Sequence, residues 1–519
     1  MTDKPQSLLR ASVVVGAMTL LSRVLGLARD ISFAVLVGAG ANADSFFIAF
    51  KIPNFLRRLF AEGAFAQAFV PVLAEYREAG DAARARALVD RVAGALGGSL
   101  LVVTGVAIVA APLLTLVFAP GFSGDAEKYR LTSELIRITF PYLFFISLTG
   151  LAGAVLNSYG RFAVPAFTPV LLNLCLIAGA VLGARYFAEP VYALAWGVFV
   201  AGLLQLAFQL PFLGRLQMLP RPRWDWGDSG VQRILALMGP ALFGVSVSQI
   251  NLLLDTVLAS FLPTGSVSWL YFSDRLVELP LGVFGIAIAT VILPSLARDK
   301  ASDSVAAFSS KLDWGLRMVL LIGLPAALAL MVLAEPVLTT LFQYRETLPR
   351  DIAMASYSLA AYAVGLVAFM LIKVLAPGYY ARQDMKTPVR IGITAMVANM
   401  VMNLALVIPL HHFWQIGHVG LALATALAAW LNAGLLWRGL RRSAVYRPRA
   451  GWGRAMLRLS VAALAMTGVL LWLNPAMADW QAWNWWQRSL HLAGLCAAGA
   501  AVYAAVLLGL GLRLKDLRH

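Results

Sequence analysis

The stretch ASVVVGAMTLLSRVLGLARDISFAVLVGAG, residues 11–40, decides the fold because it is long, apolar and interrupted by charge. About 20 consecutive apolar residues are enough for a helix to cross a bilayer. Arg23, Arg29 and Asp30 nevertheless fall inside this run. A charge at the centre of a spanning helix costs about 2.5–3.5 kcal/mol on insertion scales, so such residues usually face a water-filled cavity. The same charges distinguish the run from a cleavable signal peptide.

Comparable apolar runs recur along the whole chain. The 519 residues are 60% hydrophobic and 13% charged, with a mean hydropathy of +0.77, whereas soluble domains carry about 25% charged residues. We therefore predict an all-α integral membrane protein with about 14 transmembrane helices. The predicted spans are 12–36, 43–60, 88–118, 132–157, 165–186, 190–213, 234–262, 268–297, 314–340, 352–379, 388–410, 416–437, 452–473 and 488–512.

Lysine and arginine are distributed unevenly over the predicted loops. Alternating the loops places most of the 42 Lys and Arg residues on the side that holds both termini. The other side receives only Lys128, Arg130, Arg185, Arg345, Arg350 and Arg488. Basic loops stay in the cytoplasm, so we predict that both termini are cytoplasmic. This bias accounts for most of the net charge of +16, and it calls for anionic lipid rather than nucleic acid as the partner.

The two halves of the chain resemble each other at an offset near 223 residues. AFAQAFVPVLAEY (64–76) parallels GIAIATVILPSLARD (285–299), with Pro71 matching Pro294, and LNSYGRFAVP (156–165) parallels GYYARQDMKTP (378–388). The repeat predicts two parallel lobes of six helices each, which rock against one another in transport. We place the N-lobe at 1–213, a cytoplasmic linker at 214–233, the C-lobe at 234–440 and two added C-terminal helices at 441–519.

Basic side chains predominate among the charges inside the predicted spans. Seven are placed in the hydrocarbon-spanning parts rather than assigned to the loops at span ends: Arg23, Arg29, Lys51, Arg137, Arg275, Arg317 and Lys373. An excess of positive charge predicts a cavity that receives an anion, and therefore a carrier for a large anionic substrate. Arginine offers a planar fork suited to bidentate contact with phosphate. A structural alternative stays open, in which Asp30 and the arginines form a salt bridge that locks the first helix.

The second and eighth spans carry further charged faces. Lys51, Asn54 and Arg58 recur at i, i+3 and i+7, which places them on one side of a helix. They suit either capture of an anionic headgroup or snorkelling toward the membrane surface. In the eighth span, SVSWLYFSDRLVELP (266–280), Arg275 and Glu278 are three residues apart and can pair. Arg275 is the strongest candidate for a substrate-binding cation.

A second kind of site is suggested by oxygen-bearing side chains. Asp255 is a lone carboxylate in an apolar run, and Asn399 and Asn403 share a helical face. Together they suit a Na⁺ ion or a coupling proton, although asparagines also hydrogen-bond between helices. His411, His412 and His418 cluster at a short outer loop, which we interpret as a solvated turn rather than a metal site. No catalytic or nucleotide-binding motif occurs, so we expect neither an enzyme nor a bound cofactor.

Five stretches carry a resemblance to a known family. They are SRVLGLARD (22–30), DSFFIAFKIPNFLRRLFAEGAFAQAFVPVLAEY (44–76), ITFPYLFFISLTGLAGAVLNSYGRFAVPAFTPVLLN (138–173), GSVSWLYFSDRLVEL (265–279) and KVLAPGYYARQDMKTP (373–388). In this order they strongly resemble the MurJ (MviN) family, from about residue 8 to the C-terminus. The resemblance implies a 14-helix member of the MOP exporter superfamily.

The same resemblance implies the lipid II flippase of peptidoglycan synthesis in the bacterial inner membrane. Its substrate is undecaprenyl-diphosphate-linked disaccharide-pentapeptide, with the cell-wall synthesis machinery as a further candidate partner. By family pattern, the final two spans form a groove for the lipid tail. Arginines that match the family's central-cavity arginines are Arg23, Arg29 and Arg275. Other residues at positions of functional importance are Asp30, Asp44, Arg57 and Glu278.

Two alternative functions stay open at this point. A multidrug or cation antiporter of the same superfamily would favour an acidic cavity, whereas the charged spans here are mainly basic. A membrane enzyme acting on lipid-linked sugars would need a catalytic carboxylate, for which Asp44 and Glu278 are candidates. For a flippase, the membrane potential alone could favour export of the headgroup, because each charge gains about 2.3 kcal/mol per 100 mV.

Overall fold

The computed structural model describes residues 5–58, 65–285, 292, 296 and 304–512. Within these ranges the regular structure is helical, and no strand occurs. The chain divides into two compact units, Met1–Val267 and Ser268–His519. The predicted all-α class is therefore confirmed.

In the described ranges, ten α-helices belong to the first unit. They are α1 Pro5–Leu36, α2 Ala41–Leu56, α3 Ala66–Glu78, α4 Ala82–Val109, α5 Ala111–Phe118, α6 Ala126–Thr139, α7 Tyr142–Ser158, α8 Ala163–Ala178, α9 Pro190–Arg215 and α10 Ser229–Ser260. The next helix, α11 Ser266–Pro280, begins at the end of the first unit and continues into the second.

The second unit holds the remaining helices of the described ranges. They are α12 Val305–Val332, α13 Ala334–Phe342, α14 Pro349–Tyr380, α15 Lys386–Trp414, α16 Gly417–Arg442, α17 Trp452–Leu473, α18 Met477–Ala482 and α19 Trp485–Gly509. The last three correspond to the C-terminal addition predicted at 441–519. Short π- and 3₁₀-helical turns extend α8 and α11.

Ten segments of the described chain are long and apolar enough to cross a membrane. They correspond to ten of the predicted spans. The other four predicted spans, at 12–36, 43–60, 234–262 and 268–297, contain most of the charged site candidates. The total of 14 transmembrane helices stays a prediction.

Helix boundaries reproduce the predicted repeat. The pairs α4 and α12, α5 and α13, α6 and α14, and α8 and α15 each begin 223 residues apart. The break between α4 and α5 falls at Ala110 (φ −84°, ψ 12°), and that between α12 and α13 falls at Leu333 (φ −98°, ψ 14°). Equivalent breaks in equivalent backbone conformations indicate a structural repeat as well as a sequence repeat. Pro294, one of the residues aligned above, lies outside the described ranges.

One helix break is not repeated in the second half. Pro141 separates α6 from α7, whereas α14 runs unbroken from Pro349 to Tyr380. Proline has no N–H to donate and its ring crowds the preceding turn, so it favours a break. The residue 223 positions after Pro141 is Val364, which leaves the second helix continuous.

The segment predicted to link the lobes packs against α4 in the first unit. The Arg221 N–H donates to Asp90 Oδ1 at 2.7 Å, and the Arg223 N–H donates to the Asp90 carbonyl oxygen at 3.0 Å. A Cβ atom at Gly94 would lie 2.1 Å from the Arg223 carbonyl oxygen, so glycine is required there. Arg91 then pairs with Asp228, the N-cap of α10, at 2.7 Å.

Because of these contacts, α10 packs within the first unit, and the division between units falls at 267/268. The predicted lobe boundaries at 213 and 234 were drawn from the repeat. A repeat boundary and a packing boundary describe different properties, so the predicted lobes stay a prediction.

The C-terminal helices are anchored to the second unit by an apolar cluster and a buried arginine. Trp480 is fully buried among Leu333, Met466, Leu470 and Leu495. The guanidinium of Arg488 is 6% exposed and donates to four main-chain carbonyl oxygens, those of Thr339, Gln343, Trp480 and Gln481. Arg488, predicted at the outer end of the span 488–512, is therefore a buried residue whose charge binds the ends of α13 and α18.

Candidate functional site

The charged group of α1 is a buried cluster that reaches α8. Arg29 is 8% exposed and Asp30 is fully buried. Arg29 Nε and Nη2 donate to Asp30 Oδ1 at 2.9 and 2.7 Å, and Nη1 donates to Asn173 Oδ1 at 3.1 Å. Asn173 Nδ2 in turn donates to the Ser22 carbonyl oxygen at 2.9 Å. The guanidinium is therefore held in one orientation, which agrees with the carboxylate's predicted positioning role.

Asn173 was not among the sequence-predicted site residues. It is 5% exposed and lies in the apolar run FTPVLLNLCLIA (167–178) of α8. An isolated amide in a spanning helix is costly unless it is hydrogen-bonded. That cost was a usable signal for Asn173, although the sequence did not indicate that its partner would be Arg29.

Asp44 is the centre of a second buried ion pair. Its side chain is 1% exposed, and its Oδ2 lies 3.0 Å from Lys128 Nζ on α6. The Gly265 N–H donates to the same oxygen at 2.8 Å. The Lys128 ammonium also lies 4.0 Å from the centre of the Phe122 ring. Asp44 therefore links α2, α6 and the turn before α11.

The predicted loop position of Lys128 is wrong, because this residue lies in α6 and its side chain is buried beside Asp44. α6 begins at Ala126, where the side chain of Asp125 accepts hydrogen bonds from the Glu127 and Lys128 N–H groups. This cap places Lys128 in the first helical turn, with its side chain directed into the first unit. A buried lysine needs a counterion, and Asp44 supplies it.

The other basic candidates of the first unit are more accessible. Lys51 and Arg58 are exposed, whereas Arg23 and Arg57 are half-buried. Arg23 forms no ion pair with a carboxylate of the described residues. Arg57 Nε lies 3.4 Å from Asn54 Oδ1, which is a weak contact. The guanidinium of Arg23 therefore makes fewer protein contacts than that of Arg29.

Arg275 and Glu278 pair as their spacing predicts. Arg275 Nη1 lies 3.1 Å from Glu278 Oε2, and the two side chains are 25% and 45% exposed. Ser273, on the opposite side of α11, is buried and contacts Ser358 Oγ of α14 at 2.8 Å. The buried serine fixes α11 against α14, whereas Arg275 and Glu278 pair on an accessible side of the helix.

The residues proposed for a cation site fall on different helices. Asp255 is half-buried on α10 in the first unit, whereas Asn399 and Asn403 are fully buried on α15 in the second. The described ranges contain no group of three or more His, Cys, Asp or Glu side chains arranged to hold a metal ion. The Na⁺ or proton site stays a prediction.

His418 is buried, so its predicted solvated turn is wrong. Its ring is fully inaccessible, with Nε2 2.9 Å from the Met354 carbonyl oxygen. The ring also packs on Trp269, with centroids 4.9 Å apart. α16 already begins at Gly417, so His418 lies in the first turn of a helix that packs on α14.

Apolar helices long enough to cross a bilayer, with oriented guanidinium groups between them, define a multi-span membrane transporter. The sequence profile of the family described as "Lipid II flippase MurJ" matches residues 33–488. The chain therefore belongs to the lipid II flippase MurJ family, which confirms the resemblance recognised in its sequence motifs.

Individual relatives support this assignment over nearly the full length. A "Probable lipid II flippase MurJ" of Vibrio cholerae is 53% identical over 98% of both chains. A "Lipid II flippase MurJ" of Burkholderia cenocepacia is 43% identical over 97% of both chains. These identities favour neither the antiporter nor the enzyme alternative.

Solved structures support the fold alone. A lipid II flippase MurJ in an inward closed conformation matches with a TM-score of 0.79 at 24% identity, over 95% of this chain and 98% of that one. An inward-facing multidrug resistance MATE transporter of the MOP superfamily matches with a TM-score of 0.65 at 17% identity, over 83% and 98%. The chain therefore shares its overall fold with both structures.

Proposed function

We propose that this protein moves lipid II across the bacterial inner membrane. The observation that carries the proposal is the 53% identity, over 98% of both chains, to a relative named as a probable lipid II flippase. Identity over the full length includes the spans that contain the charged candidates. The protein acts as a transporter, with lipid II as substrate and membrane lipids as its surroundings.

The headgroup of the substrate carries a diphosphate, and arginine is the side chain best suited to bind it. Asp30 and Asn173 occupy Nε and one N–H of each terminal nitrogen of Arg29. Arg29 is thus oriented by the protein before substrate arrives, which reduces the entropy lost on binding. We assign Arg23 and Arg275 to direct contact with phosphate and Arg29 to a preorganised contact.

Transport follows from alternating access of the two repeats. The diphosphate-sugar headgroup enters from the cytoplasmic side, while the polyprenyl tail stays in lipid beside α17 and α19. Both termini are cytoplasmic, in keeping with the distribution of lysine and arginine. The headgroup carries about two negative charges, and each gains about 2.3 kcal/mol per 100 mV on leaving a cell that is negative inside. The potential therefore favours export, and Na⁺ coupling through Asp255, Asn399 and Asn403 is a second source of drive.

Labelled lipid II in reconstituted liposomes tests this proposal. The fraction that becomes accessible on the far leaflet is measured for the wild type, for Arg23→Gln and for Arg161→Gln, with and without a membrane potential. Arg161 is an exposed loop residue and provides a control of equal charge change. We expect transport in the wild type and the control, and a loss of about tenfold or more in Arg23→Gln, because one charged hydrogen bond is worth about 1.5–3 kcal/mol.

Equal transport by Arg23→Gln and the control would remove Arg23 from the binding site. Absence of protein-dependent transport by a correctly folded wild type would contradict the flippase itself. Chemical conversion of lipid II in detergent, where there is no second leaflet, would instead favour the enzyme.

A further inference from the structure

A basic cavity in the second unit is separate from the residues assigned to transport. It encloses about 710 Å³ at the end of the unit where α12 and α17 begin and α14 and α16 end. Three arginines line it, Arg382 from the loop after α14 and Arg447 and Arg449 from the segment before α17. No Asp or Glu of the described residues lines it. A concave site lined by positive charge attracts an anion.

The wall that carries two of these arginines is rigidly built. Ser309 Oγ donates to the Arg447 carbonyl oxygen at 2.9 Å and accepts from the Arg447 N–H at 2.8 Å. Asp313 Oδ1 accepts hydrogen bonds from Tyr446 Oη at 2.8 Å and Trp452 Nε1 at 2.6 Å. Tyr446 is 2% exposed. These bonds fix the segment 446–452 on α12, so the cavity exists before any ligand arrives.

Two of the guanidinium groups remain available to a ligand. Arg449 donates to Ser310 Oγ, whereas the side chains of Arg382 and Arg447 make no hydrogen bond to the residues that the structure describes. Asp384, the nearest carboxylate along the chain from Arg382, accepts from the Thr387 N–H at 3.0 Å. This bond to α15 is the main cause that lowers the pKa of Asp384, and the nearby charge of Arg382 contributes to the same shift.

The start of α12 adds neutral donors to the cavity. Val305 and Ala306, the first two residues of this helix of 28 residues, line the cavity together with Ser304, whose hydroxyl accepts from the Ala307 N–H at 3.3 Å and keeps its own O–H to donate. First-turn N–H groups have no acceptor within their own helix, and the helix dipole favours an anion beside them. Hydroxyl and N–H donors beside arginine forks are the groups that bind phosphate oxygens.

We propose that this cavity binds a phosphate-bearing anion, either the headgroup of an anionic phospholipid or a soluble diphosphate. The helices that meet there are of spanning length, and the ends of such helices lie at the depth of lipid headgroups. This inference is independent of the proposed transport of lipid II, because none of the cavity's residues was assigned to that site.

Native mass spectrometry of the full-length protein in detergent tests the lipid source, with phosphatidylglycerol as probe and phosphatidylcholine as neutral comparison. Calorimetric titration with pyrophosphate, in lipid-free detergent, tests the soluble source. The cavity variant is Arg382→Gln with Arg447→Gln. The matched control is Arg390→Gln with Arg454→Gln, which removes two exposed charges from the starts of α15 and α17 outside the cavity lining.

A third variant, Ala306→Glu, keeps all three arginines and places a carboxylate in the first turn of α12, where it suits the helix dipole. Ala306 is exposed, so this substitution should leave the fold intact. We expect the cavity variant and Ala306→Glu to bind the preferred probe at least about tenfold more weakly than the wild type, because the first loses charged hydrogen bonds and the second adds a repulsive carboxylate. The control should bind it normally.

The probe that shows this pattern identifies the source of the phosphate. Loss of phosphatidylglycerol alone indicates a lipid headgroup, and loss of pyrophosphate alone indicates a soluble ligand. If all three variants bind both probes equally well, or if the control loses binding as much as the cavity variant, the basic residues act only as general surface charge and the proposal is overturned.

Discussion

Replacing Lys128 by methionine tests whether the buried pair with Asp44 stabilises the first unit. The change keeps a linear side chain but leaves the carboxylate, 1% exposed, with the Gly265 N–H and without its ammonium partner at 3.0 Å. Removing one member of a buried pair costs about 3–5 kcal/mol, because the remaining buried charge loses its counterion. We expect a loss of this size in the free energy of unfolding.

The same helix offers a matched control. Arg130 pairs with Glu134 at 3.3 Å, but the two side chains are 68% and 32% exposed. Solvent screens such a pair, so Arg130→Met should cost about 1 kcal/mol or less. The double variant Asp44→Asn with Lys128→Met removes both buried charges, and the new amide oxygen can still accept from Gly265. It should recover most of the loss.

Unfolding of each purified variant in mixed micelles, followed by circular dichroism against denaturant concentration, measures these differences. A loss in Lys128→Met no larger than in Arg130→Met would show that the pair is solvated in the membrane protein. If desolvation of Asp44 causes the loss, neutralising this carboxylate should restore stability. A double variant less stable than Lys128→Met would therefore refute the argument from desolvation.

Two further predictions concern other buried contacts. They add to the liposome experiment on Arg23 and the binding experiment on the basic cavity. Asn173→Ala removes an acceptor from Arg29 and should lower lipid II transport in liposomes more than Arg161→Gln does, with a stability cost of about 1–3 kcal/mol; unchanged transport would exclude a positioning role. Arg488→Lys keeps the charge but loses the planar fork that reaches four carbonyl oxygens, so stability should fall by about 2 kcal/mol or more in the same denaturant assay; an unchanged value would show that a single ammonium suffices there.

Sequence patterns were sufficient for features that depend on neighbouring residues. In a bilayer every backbone N–H and C=O must be satisfied within the segment, so a long apolar run specifies a helix almost by itself. The spacing of Arg275 and Glu278 specified their pairing for the same local reason, since residues three apart meet on one face. The offset of 223 residues anticipated equivalent helix starts and breaks, because each half repeats the same local signals.

Contacts between distant residues were beyond this local information. The pair Lys128–Asp44 joins residues 84 positions apart, and Arg29–Asn173 joins residues 144 positions apart. The distribution of lysine and arginine placed Lys128 and Arg488 outside the hydrocarbon on the outer side. A count of charges per loop does not include the direction in which each helical face points, so it did not predict their burial.

The sequence by itself thus determined the helical membrane fold, its repeat and the family to which the chain belongs. Only the tertiary structure decided which charges are buried partners of one another and which stay accessible to a ligand. The physical reason is that a buried charge is stable only beside a counterion or several dipoles. Those partners come from helices that meet only when the chain is packed.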